Sequence, residues 1–157
     1  MKTKGENGMD LVRATIDDSA ELYELQLLAF ESEAEMIGSR DVPALLESKE
    51  HHKEDFPNWI TLKLLDDSGK IIGAIRYKKV DDIVDVGRLM VHPDYRHQGL
   101  AKHMIAEVDK AYPHDIKELY TCTKSWINID LYQKMGYHAV KEVTEDSGLS
   151  FVYMRKK

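Results

Sequence analysis

Arg96-His97-Gln98-Gly99-Leu100-Ala101-Lys102 combines basic side chains with a glycine at the point where an amphipathic run begins. The first amides of a helix have no intrahelical acceptor, and the helix dipole adds positive potential there. Such a segment can hold a phosphate through main-chain N–H groups. Gly99 has no Cβ to keep a ligand away from the backbone. Further along, Asn128 and Tyr132 are four residues apart, so on a helix an amide and a hydroxyl share one face. Asp85 is a carboxylate inside an apolar run, with a parity opposite to Val84 and Val86. Other reactive residue types read as structural. Cys122 between Thr121 and Thr123 suits a buried thiol better than a nucleophile. His51-His52 diverge as neighbours and have no cysteine nearby, while His92, His97 and His103 have no metal-ligand spacing. Trp59 and Trp126 read as packing residues.

The elements that must position these groups follow from the hydrophobic pattern. Residues 11–16 read as a strand, followed by Asp17, Asp18 and Ser19 as capping acceptors and by a helix over residues 20–30 with Leu22, Leu25, Leu28 and Ala29 in period. Residues 31–41 lack a clean period and read as a loop or frayed helix end. Pro43 suits the first turn of a short helix ending near Ser48, and residues 50–58 read as a polar connector. Strands are expected over residues 59–65 and 71–80 across the turn Asp66-Asp67-Ser68-Gly69-Lys70, then over residues 83–91. In that last strand Val84 and Val86 share a face, but Leu89 and Val91 resume the series after a spacing of three. A β-bulge at Gly87-Arg88 restores the register and leaves main-chain groups outside the ladder. Ala101, Met104, Ile105, Val108 and Ala111 mark a helix that must stop by Tyr112-Pro113. A short strand over residues 119–123, a helix over 127–135 capped by Gly136, and strands over 137–143 and 149–155 complete the chain.

A chain of 157 residues with 43% apolar and 32% charged residues suits one globular domain, and it contains no apolar run of membrane-spanning length. Residues 1–8 are polar and lack the apolar core of a signal peptide; they read as a flexible segment before a domain over residues 9–157, and Met9 is an alternative first residue. One cysteine allows no internal disulfide and fits a cytoplasmic setting. The net charge of -6 argues against nucleic acid as the main partner, although Arg96, Lys102, Lys124 and Lys134 offer a local basic pocket.

The order β-α-α-β-β-β-α-β-α-β-β resembles the GNAT superfamily of acetyl-CoA-dependent N-acyltransferases. Two motifs carry the resemblance: the stretch from Leu89-Met90-Val91-His92-Pro93 through Arg96-His97-Gln98-Gly99-Leu100-Ala101, and Asn128 followed by Leu131-Tyr132-Gln133-Lys134-Met135-Gly136-Tyr137. It covers nearly the whole chain. The fold implied is α/β (α+β), a single domain with a mixed, mostly antiparallel sheet of about seven strands and four helices, in which the fourth and fifth strands splay apart.

The resemblance also implies site residues. Backbone amides of Arg96, His97, Gln98, Gly99, Leu100 and Ala101, with Lys102, would bind the coenzyme A pyrophosphate; Leu89, Met90 and Val91 would bond the pantetheine amides. Asn128 and Lys134 would contact the coenzyme, and the Tyr132 hydroxyl would protonate the leaving thiolate, with a core tyrosine as its alternative. Asp85 lies four residues before Leu89, where some members carry a catalytic glutamate. It reads equally as a base, a substrate-binding carboxylate or a solvated strand residue. The implied reaction is direct attack of a primary amine on acetyl-CoA in a ternary complex, with no metal. A small or amino-acid-like acceptor is expected, selected by residues 30–40, where Glu31, Glu33 and Glu35 could attract a cation or merely be solvated, and by the loop between the last two strands. A protein N-acetyltransferase and a non-catalytic coenzyme-A sensor are the alternatives, with monomer or homodimer both open. The P-loop and dinucleotide signatures are absent, which disfavours a nucleotide-binding domain.

Overall fold

The computed structural model describes residues 2–4 and 9–157. Its sheet has the order β1-β2-β3-β4-β5-β6-β8-β7, with β1 Lys2–Lys4, β2 Asp10–Arg13, β3 Ile60–Leu65, β4 Ile71–Val80, β5 Ile83–Val91, β6 Ile116–Cys122, β7 His138–Thr144 and β8 Ser150–Lys156. The seven strands expected from the sequence are present. The expected flexible segment falls mostly outside the described residues, but the backbone of Lys2–Lys4 pairs antiparallel with β2 at the sheet edge.

Among the described residues five α-helices accompany the sheet: α1 Ser19–Ile37, α2 Pro43–Leu46, α3 Lys49–Asp55, α4 Leu100–Ala111 and α5 Trp126–Lys134. The sequence indicated four, because α3 looked like a polar connector. That helix is capped by the Ser48 hydroxyl, which accepts from the His51 amide at 3.0 Å, and His52 is its buried residue, so it leaves no apolar stripe to read. α1 also runs past residue 30 and ends where Gly38 adopts φ 75. Its last turns bury Ala34 and Ile37 while Phe30 and Glu33 line cavities, and these two unlike environments obscure the helical period.

Two apolar layers sandwich the sheet. Leu22, Leu25 and Ala29 of α1 meet Ile71, Ala74 and Met90 on one face. Met104, Ile105 and Val108 of α4 meet Leu62, Leu64, Ile75, Val84 and Val86 on the other. Alternation along β3, β4 and β5 therefore sends Arg76 and Asp85 to the face opposite α4. Among the described residues no helix is long and apolar enough to cross a membrane.

The functional geometry comes from β5. Its pairing with β4 skips between Ala74↔Met90 and Arg76↔Gly87, so Arg88 and Leu89 stand against a single residue of β4. Arg88 adopts φ 46, which locates the bulge at Arg88-Leu89, one residue beyond the expected Gly87-Arg88. β5 also pairs in parallel with β6, but only at Ile83↔Ile116, Val84↔Lys117 and Asp85↔Glu118. Beyond Glu118, β6 stays with β8 as far as Cys122↔Phe151, and β5 stays with β4. The sheet consequently opens as a wedge between its central strands.

Candidate active site

The wedge leads into a cavity of about 640 Å³, bordered by Phe30 and Met36 of α1, Leu89, Met90 and Val91 of β5, and the start of α4. His97 at φ 63 and Gly99 at φ 74 are both left-handed and turn the chain into that helix. The first α4 bond runs from the His103 amide to the Gly99 carbonyl at 3.1 Å, so the Leu100, Ala101 and Lys102 amides precede the helical ladder. Arg96, His97 and Gly99 donate no amide hydrogen bond among the described residues. The result is a run of N–H groups at a helix start, which can hold an anion.

Side chains contribute less positive charge here than the sequence indicated. The Arg96 guanidinium turns inward and donates to the carbonyls of Ala29 at 3.2 Å and Val91 at 3.4 Å, tying the loop to α1 and β5. Lys102 lies on the cavity wall, whereas Lys134, also on the wall, pairs with Asp130 at 2.9 Å. Gln98 is exposed and Lys124 likewise; neither borders the cavity.

A second cavity, of about 320 Å³, lies deeper in the wedge, and Phe30, Glu33, Leu89 and Asn128 belong to both walls. Tyr132 borders this inner cavity rather than the outer one. It is buried beside Tyr137, and its hydroxyl makes no hydrogen bond among the described residues. Burial, and secondarily the Glu33 carboxylate, push its pKa well above the usual tyrosine range, so it stays protonated. Asp85 faces Lys78 across β4 and Glu118 across β6. Burial and the Glu118 charge raise the Asp85 pKa against the opposing pull of Lys78. Asp85 thus combines cavity exposure with a stronger basicity than an ordinary surface aspartate.

Glu33 emerges as a site residue through tertiary structure. It accepts from Ser125 Oγ at 2.5 Å, Asn128 Nδ2 at 3.4 Å and Thr121 Oγ1 at 3.5 Å, linking α1 to β6 and α5. Its separation from these partners leaves no local sequence signal. Trp59 is likewise more than a packing residue: it borders the inner cavity, with the Arg76 guanidinium 4.1 Å and Lys78 Nζ 4.3 Å from its ring centroid. Trp126 is 67% exposed, contrary to the packing expectation, because it opens α5 on the outer surface. Cys122 is buried at the inner cavity wall, and His52 is buried with Nδ1 3.0 Å from Ser19 Oγ. Among the described residues no group of three or more His, Cys, Asp or Glu is placed to hold a metal ion.

Residues 44–157 match the acetyltransferase (GNAT) domain family. The chain belongs to the GNAT acetyltransferases. The open, mostly antiparallel sheet is thereby that of a GNAT domain. Among curated proteins, the UPF0157 protein YqkA of Bacillus subtilis (strain 168) is 27% identical over 130 residues, which is 82% of this GNAT chain but 37% of the relative's length. Solved structures with the same fold include the ribosomal-protein-S18-alanine N-acetyltransferase of Escherichia coli, at 15% identity and TM-score 0.74, covering 94% of this chain and 92% of that one. The PaiA N-acetyltransferase of Thermoplasma acidophilum in complex with coenzyme A is 21% identical at TM-score 0.72, covering 95% and 98%. At these identities the structural likenesses establish the fold alone.

Proposed function

We propose that this chain is an N-acetyltransferase that transfers acetyl from acetyl-CoA to the primary amine of a small acceptor. The supporting observation is the junction of two cavities at Phe30, Glu33, Leu89 and Asn128. An outer cavity with an anion-holding helix start suits the donor, and an inner cavity with a raised-pKa carboxylate suits the amine. The PaiA relative's structure in complex with coenzyme A supports the same choice of donor. The ribosomal-protein acetyltransferase shares this fold too, but an inner cavity of about 320 Å³ at the lower end of ligand-pocket sizes favours a small acceptor over a protein segment.

When bound, acetyl-CoA supplies the activated acyl carbon. The amides of Arg96, His97, Gln98, Gly99, Leu100 and Ala101, with Lys102, hold its pyrophosphate, and main-chain groups of Leu89, Met90 and Val91 bond the pantetheine arm. Arg88 and Leu89 lie outside the β4 register, so the amide at Leu89 is available to polarise the thioester oxygen. Asn128 and Lys134 position the coenzyme. The protonated Tyr132 hydroxyl donates to the departing sulfur, and the Asp85 carboxylate takes the proton of the attacking amine, directly or through water.

Thiol release from acetyl-CoA, measured against polyamines, amino acids, aminoglycosides and peptides, tests the assignment. Acceptor-dependent thiol release with a small amine is the expected result. Tight coenzyme A binding with no acceptor-dependent release across the panel refutes an enzyme and leaves a coenzyme-A sensor.

A further inference from the structure

The inner cavity contains a pair of buried guanidinium groups for which amine acetylation alone has no use. The side chains of Arg76 on β4 and Arg88 on the β5 bulge are 12% and 16% exposed, and both line the cavity. Neither donates a hydrogen bond among the described residues, and both Nε atoms are buried without a partner. Buried guanidinium donors left unmade are costly, and in native proteins they call for an explanation.

Their counter-charges do not fill the donors. Asp55 stands 3.7 Å from Arg76 and Glu47 stands 3.7 Å from Arg88, both beyond hydrogen-bonding distance. Those carboxylates are engaged elsewhere. Asp55 accepts from Asn58 Nδ2 and Trp59 Nε1, each at 3.0 Å, and Glu47 accepts from Gln26 Nε2 at 2.9 Å. The ion pairs balance charge through space but leave the guanidinium donors of two cavity-lining residues without hydrogen-bond partners among the described residues. Burial and the neighbouring Arg88 charge draw Arg76 down to about 10, which still leaves it protonated at neutral pH. Arg88 also sits at φ 46, a strained conformation for a side chain with a Cβ, and strain of this kind accumulates at binding sites.

Lys78 adds a third cation over the Trp59 ring, while Glu33, Asp85 and Glu118 supply anionic groups to the same cavity. The cavity is therefore bipolar. Its cations come from β4 and the bulge, and its carboxylates lie at the wedge apex and at the junction with the outer cavity.

We propose that Arg76 and Arg88 bind a carboxylate on the acceptor, so that the substrate is a small amino-carboxylate of amino-acid size. This rests on the acetyltransferase reading and narrows it. Two guanidinium forks bind a carboxylate with paired hydrogen bonds, whereas a simple polyamine offers their unfilled donors no acceptor.

The test compares the common free amino acids with their carboxamides, using acceptor-dependent thiol release together with calorimetric binding of acceptors and of coenzyme A. The free acid is expected to exceed its amide by about 10- to 100-fold in kcat/KM, the range for a hydrogen-bonded charge. Arg88→Gln removes most of that preference, chiefly through KM, while coenzyme A affinity is retained. Arg88→Lys restores charge without the fork and recovers only part of the preference. Acetylation of amines with no preference for the acid, or equal losses on acid and amide in Arg88→Gln with coenzyme A binding intact, overturns the proposal but leaves the acetyltransferase standing. Arg88-dependent binding of free amino acids without thiol release supports the carboxylate site and removes the enzyme. Absence of both removes both.

Discussion

Gly99 and Gly69 form a matched pair for testing where the donor lies. Both have positive φ, 74 and 87, and a Cβ built on either meets no atom within 4 Å. Alanine at each position therefore pays the same intrinsic penalty for left-handed backbone, about 1–2 kcal/mol, with no clash inside the protein itself. Gly69 lies in the β3–β4 turn, and Gly99 borders the outer cavity. If the pyrophosphate rests on the loop amides, Gly99→Ala brings a methyl against the ligand or relaxes the loop. Coenzyme A affinity should then fall by about 5- to 30-fold, since 1.4 kcal/mol is tenfold. Gly69→Ala should lose a similar amount of unfolding free energy and bind coenzyme A as the parent does. Urea unfolding and calorimetry on both variants supply the numbers. Coenzyme A binding to Gly99→Ala within about twofold of the parent, at the expected loss in stability, would falsify the loop assignment.

Tyr132→Phe should leave stability nearly unchanged, because the hydroxyl has no partner to lose, and lower kcat by about 100-fold if it serves as the proton donor; equal kcat in the two proteins rejects that role. For Asp85 the folded pKa lies above the unfolded one, so its charge opposes folding once pH rises through both values. Asp85→Asn should therefore raise the unfolding free energy near neutrality more than in acid, while abolishing the acid limb of the kcat/KM profile. An unchanged limb removes Asp85 as the base. His52 has the opposite linkage: burial, its largest influence, lowers its folded pKa below the unfolded value near 6.5. The unfolded chain gains a proton first as pH falls, and stability drops below that point by at most about 1.4 kcal/mol per pH unit. Unfolding of wild type and His52→Gln at about pH 7.5 and about pH 5.5 should show the variant losing less; equal losses exclude this linkage.

The legible parts of the site were those written in consecutive residues. Gly99 before an amphipathic run marks a helix start, and the spacing of Val84, Val86, Leu89 and Val91 discloses the bulge to within one residue. Asn128 and Tyr132 were visible because one helix carries both. They part company in the structure, with Tyr132 bordering only the inner cavity and Asn128 both. What escaped was assembled by long-range packing. Arg76 and Arg88 become neighbours only through antiparallel pairing interrupted by the bulge. Glu33 could not be told apart from Glu31 and Glu35 as a cation-attracting or merely solvated charge because α1 changes its packing partners partway along. Trp59 could not be distinguished from a core aromatic until the cations over its ring were placed.

The three residue pairs that join β5 to β6 divide the sheet into two plates fused at one end. Such a body bends about its fused end, so displacement grows with distance from the pivot. Asp85 and Glu118 form the last of those pairs and sit at the fulcrum, whereas the 96–101 loop lies beyond the far end of the β5 lever. Any opening of the mouth about that end would widen the gap bordered by Leu89, Met90 and Val91 while leaving the Asp85–Glu118 pair in register.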